Sequence, residues 1–118
     1  MKTTARHFRT FRDECERCAK RWGFAGFRLE FRHGACEAGV CASCRGSATQ
    51  RALFLTLSLD WPSGYPPTDA NLRETARHEM RHAFIAQFSA LASSRFVTPD
   101  EIDAAEHELC ERLRMVLP

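Results

Sequence analysis

The chain predicts an α+β domain: helices on one side of a small antiparallel or mixed sheet. Three observations carry that expectation. The N-terminal stretch places apolar residues at helical spacing, the middle holds two runs that alternate as strands do, and the remainder holds two more helical patterns. A length of 118 residues suits one domain, 1–118, with a single modest core.

The elements follow in order. Over residues 5–22, Phe8, Phe11, Cys15, Cys18, Ala19 and Trp22 recur at three- and four-residue steps, and Gly23 and Gly26 end the helix. FRLEFRH, 27–33, alternates apolar and polar like a half-buried strand. GACEAGVCASCRGSATQ, 34–50, is rich in small residues and reads as an irregular excursion. RALFLTLSLDW, 51–61, is the second strand, with Leu53, Leu55, Leu57 and Leu59 on one face and Phe54 on the other. PSGYPP then breaks the chain. A long helical pattern runs from Asp69 or Asn71 to about Ser93, with Phe84, Ile85, Phe88 and Leu91 as core contacts. The last helix starts at TPDE, where Thr98 caps, Pro99 takes the first position and Glu101 the third, and it is expected to continue to the C-terminus.

Composition narrows the function classes. The chain is 44% hydrophobic and 27% charged, which is ordinary for a soluble globular protein. A net charge of +2 is too small to imply a nucleic-acid partner. No apolar run approaches the roughly 20 residues that cross a bilayer, and MKTTARHFRTFRDE lacks the apolar segment of a signal peptide. A cytoplasmic location is the expectation. In that compartment the six cysteines read as metal ligands or buried thiols rather than disulfides.

The chemistry is concentrated in HEMRH, residues 78–82. On a helix, positions i and i+4 lie about 40° apart on one face, so His78 and His82 can offer two imidazoles to one tetrahedral zinc. Glu79, about 100° from His78, sits beside such a metal, where a general base acting on a water belongs. With five histidines in the chain, HExxH would arise by chance in roughly 2% of shuffled sequences. A third ligand is needed. On the last helix Ile102, Ala105, Leu109, Leu113 and Val116 form an apolar stripe, and Glu106 falls about 40° from Ile102, inside the sector expected to be buried. A carboxylate there asks for a cation.

ARHEMRHAF and AEHELCERL together resemble the gluzincins, zinc metallopeptidases with HExxH on one helix and a ligand glutamate on the next. In length and order of elements the chain is similar to minimal gluzincins and to small metallopeptidases of tailed phages and prophages. The resemblance implies a zincin-like fold and a hydrolase, active or latent, with zinc on His78, His82 and Glu106 and with Glu79 as the base. Arg81 between the histidines and the cysteine-rich excursion depart from the pattern.

Secondary candidates complete the reading. Tyr65 and His107 are the polar side chains that could stabilise an oxyanion, though ordinary surface roles suit both. GVCASCRG resembles a zinc knuckle, and His33, Cys36, Cys41 and Cys44 could hold a second, structural zinc. Cys15 and Cys18, which with Cys41 and Cys44 would make a four-thiolate set, are explained by burial on the helix stripe; a redox pair is a further reading. Cys110 is placed near the site as packing, and His7 on the surface. The expected partner is a peptide or protein substrate, adding along an edge strand, either 27–33 or 51–59. The competing function is a non-catalytic zinc-stabilised protein-interaction module that uses the cysteine loop as its surface.

Overall fold

A computed structural model describes the chain apart from residues 48–49, 115 and 117–118 and the side chain of residue 87. The order is α1 (Ala5–Arg21), β1 (Arg28–Gly34), β2 (Ala42–Ser47), β3 (Ala52–Ser58), α2 (Asp69–Ala92) and α3 (Pro99–Leu113). The α+β class is as the sequence predicts. Each helix begins with a threonine cap, Thr4, Thr68 and Thr98, whose hydroxyl accepts from a backbone N–H of the first turn. In α1 the box is closed by His7 in the position usually held by Glu or Gln. Gly23, at φ 84°, turns the chain out of α1.

The sheet corrects two expectations. Residues 42–47, inside the stretch read as irregular, form β2, antiparallel to β3. Their alternation was present, with Ala42, Cys44 and Gly46 level with the three core leucines of β3, but side chains this small give a weak apolar signal. The strand order is β1-β3-β2, with β1 parallel to β3. The run 51–59 is therefore the centre of the sheet and cannot be a free edge, as its near-continuous burial shows. The edges are β1 and β2. A further difference is that α3 stops at Leu113, with Arg114 as its cap; residues 115, 117 and 118 lie outside the described residues.

Both α1 and α2 cover one face of the sheet. Phe11, Cys15, Phe24, Leu53, Leu55, Leu57, Leu72 and Met80 are fully buried between them, each such large apolar side chain contributing about 1.5–3 kcal/mol. Leu59, past the end of β3, is exposed. An ion pair locks the helices together: buried Glu14 on α1 accepts from Arg77 of α2 at 3.0 Å and from Arg17 at 2.6 Å. The contact holds the first half of α2, and hence the HEMRH turn, in register with α1. Among the described residues no helix is long and apolar enough to cross a membrane.

Candidate functional site

The core-facing residues of α2 are Leu72, Thr75, Ala76, Glu79, Met80 and Ala83, at helical spacing. That seat rotates His78 and His82 to the rim, where both side chains are exposed. Their Nε2 atoms lie 3.1 Å apart and their rings meet edge to face at 4.7 Å. Two nitrogens bound to one tetrahedral zinc at ~2.0–2.1 Å stand about 3.3–3.4 Å apart, so the pair fits a shared metal with a small adjustment. Ile85, expected in the core, is exposed beside them because the buried face runs through Glu79 and Met80 instead.

Glu79 is only 8% exposed. Burial pushes its carboxyl above the usual carboxylate range, opposed by the charges of His78 and His82. It lines a cleft of about 320 Å³ with Val40, Cys41, Tyr65, Thr75 and His78. A second, apolar cavity of about 400 Å³ opens on the other side of His78, walled by Trp22, Phe84, Ile85 and His82. His78 is the ridge between the two spaces.

The third ligand is not gathered. Among the described residues, no three of His, Cys, Asp and Glu stand close enough together to hold a metal ion. Glu106, expected in the buried sector of α3, is exposed. The reason lies in which residues seat the helix. Its buried positions are Ala105 and Arg112, and Ile102, the assumed centre of the stripe, is 45% exposed. Glu106 follows Ala105 and so points about 100° away from the seat. Arg112 takes a core position although charged, because its guanidinium stacks 4.7 Å above Phe24 and 5.4 Å from Phe27.

Within the second zinc set, His33 and Cys44 are separated by the central strand, while Cys36 stands near Cys41. His33 stacks on Phe8 at 5.2 Å and shares a 2.7 Å hydrogen bond with Thr3 Oγ1. It is level with Leu57 of β3, whose other neighbour is Ala42, so β3 stands between it and the β2 cysteine Cys44, a span of about 10 Å. Cys15 and Cys18 are buried thiols, 0% and 5% exposed, as their helix spacing predicts. Burial raises the pKa values of Cys18, to about 11, and of Cys44, to about 12, which makes both poor nucleophiles at neutral pH. Cys110 is exposed.

Of the two oxyanion candidates, Tyr65 shares the cleft with Glu79, held by stacking on Trp61 at 5.5 Å. His107 is exposed, and its Nδ1 is spent on the Asp103 carbonyl at 2.8 Å. Two residues that the sequence did not bring forward set the helices around this region: Glu14 as the anchor of α2 and Arg112 as a buried residue of α3. Cys41, a candidate for the second zinc, lies instead in the cleft wall. The signal for Glu14 was an acid on the Cys15–Cys18 side of α1; Arg112 had none. No protein-family model matches the chain, and no curated protein or solved structure matches it either.

Proposed function

We propose that this domain is a zinc-dependent metallopeptidase, with His78 and His82 as metal donors and Glu79 as general base. The observation that carries the reading is the pair of Nε2 atoms 3.1 Å apart, on the same helical turn that buries Glu79 in a cleft wall. Bound zinc would supply Lewis-acid polarisation of a carbonyl and lower the pKa of a water. Glu79, with its pKa already raised, is suited to hold and pass on a proton there. Tyr65 offers an O–H donor on the same cleft. The strand β2 is an edge whose Ala42 reaches the cleft, so an extended peptide could pair along it.

Glu106 is the third donor in this proposal, and it reaches the histidines only if α3 turns on α2 when metal binds. The competing reading is a zinc-stabilised interaction module, favoured by the absence of a gathered third ligand among the described residues. Metal analysis of the wild type and of His78→Ala/His82→Ala, paired with a peptide-library digest of wild type and Glu79→Gln, separates the two. The expected result is one zinc per chain that the double variant loses, with hydrolysis falling about 10²–10⁴-fold in Glu79→Gln while zinc is kept. Zinc binding without any Glu79-dependent cleavage would establish the module instead. A wild type that takes up no zinc on titration would end both readings.

A further inference from the structure

A separate cavity of about 480 Å³ lies under α3, on the opposite reach of α2 from the histidines. It falls in the ~300–1,000 Å³ range of small-molecule sites. One side of its wall is apolar, from Phe24, Phe27, Leu53, Ala83, Ala86 and Leu91, and the other is polar, from Ser47, Ser94, Glu101 and Arg112. The space exists because α2 presents small residues there and Gly46 of β2 has no side chain to fill it.

One polar group on the wall is buried without a full set of partners. Arg112 is 8% exposed, and its Nε is the one fully buried side-chain nitrogen or oxygen without a hydrogen-bond partner among the described residues. Its contact with a carboxylate is Glu108 Oε1, 3.4 Å from the other end of the guanidinium, on a half-exposed side chain. The Phe24 and Phe27 rings stabilise the charge on its flat faces, but they leave the in-plane N–H donor unmet. A second guanidinium, Arg51, stacks 4.7 Å from Phe27, so two cations flank one ring. The acid on the cavity wall, Glu101, is committed elsewhere: its carboxylate accepts from the Thr98 N–H and hydroxyl at 3.3 and 3.0 Å.

We infer that this cavity binds a small amphipathic carboxylate, its apolar body between the phenylalanines and the alanines of α2 and its carboxylate on the Arg112 guanidinium. A planar carboxylate matches the in-plane fork of arginine, and apolar walls with a few placed polar groups are the usual make-up of such a site. The inference concerns the metal-free chain and does not rest on the proposed function, since the cavity shares no residue with the space beside the histidine pair.

The test is calorimetric titration of the whole chain with octanoate and, separately, with octanol. Saturable one-to-one octanoate binding is expected, at least about tenfold tighter than octanol, the scale of one hydrogen bond to a charged group. Arg112→Met should remove that preference, and Ala86→Leu, which keeps the charge and fills the space, should remove binding altogether. An N-acetylated leucine dipeptide, as free acid and as amide, forms a second arm: tighter binding than octanoate assigns a peptide chain end, weaker binding a free organic acid. Equal affinity for octanoate and octanol, or unaltered octanoate binding in Arg112→Met, would overturn the inference. If circular dichroism shows Arg112→Met unfolded, the wild-type comparison and Ala86→Leu decide it.

Discussion

The helices α2 and α3 were both read as metal-ligand helices, and the structure treats them differently. α2 is gripped on three sides, by α1, by the edge strand β2 and by α3. Its buried residues recur without a break from Leu72 to Ala83, and the Glu14–Arg77 pair fixes its height against α1. Few rotations of such a helix are compatible with the core, so the facing of His78 and His82 follows from packing. α3 has α2 as its main neighbour and one fully buried apolar residue, Ala105. Its rotation was settled by Arg112 finding two aromatic rings. A ligand assignment by helical angle is thus safe where the seat is wide and apolar, and unsafe where one long amphipathic side chain can choose the seat.

The widest gap between the two helices should appear on truncating their contacts. Met80→Ala, at a fully buried position of α2, should cost about 2–5 kcal/mol in urea unfolding. Leu109→Ala, half-buried on α3, should cost less than half as much. Equal losses would mean that the two helices are seated alike, and the contrast would collapse.

The ion pair under α2 comes next. Burial raises the Glu14 pKa, but the hydrogen bonds and charges of Arg17 and Arg77 outweigh it and hold the group below the usual carboxylate range. A carboxyl lowered on folding contributes stability above its unfolded pKa and loses it as the pH falls through the folded value. Glu14→Gln should therefore cost about 1 kcal/mol at pH 7, since both arginines are partly exposed and screened. The difference from wild type should shrink towards zero in acid below the ordinary carboxylate pKa. A deficit independent of pH would show that the contact acts by shape alone.

Thr98→Ala removes the cap of α3 and should cost a comparable ~1 kcal/mol. Hydrogen exchange should report faster opening of α3 with α2 unchanged; a matching acceleration in α2 would show the helices open as one unit. The smallest effect belongs to Glu106→Gln. An exposed side chain away from any cap or core should change stability by less than about 0.5 kcal/mol. Zinc content measured on that variant then sharpens the comparison, because loss of metal with an unaltered fold would show α3 delivering its ligand on binding, and full retention would remove Glu106 from the site.

Much of this architecture was legible from local rules. Thr98-Pro99 with Glu101 marks the start of α3, and the alternating leucines mark β3. The i, i+4 spacing of His78 and His82 brings their nitrogens together whatever surrounds them. These are properties of the backbone period, which the chain carries in its own order of residues. Tertiary structure decided what depends on partners distant in sequence. β2 is a strand because β3 pairs with it, Glu79 is buried because the sheet lies under α2, and Glu106 faces water because Arg112 found Phe24 and Phe27. Periodicity says which residues share a face; only the energy of contacts between elements says which face turns inward.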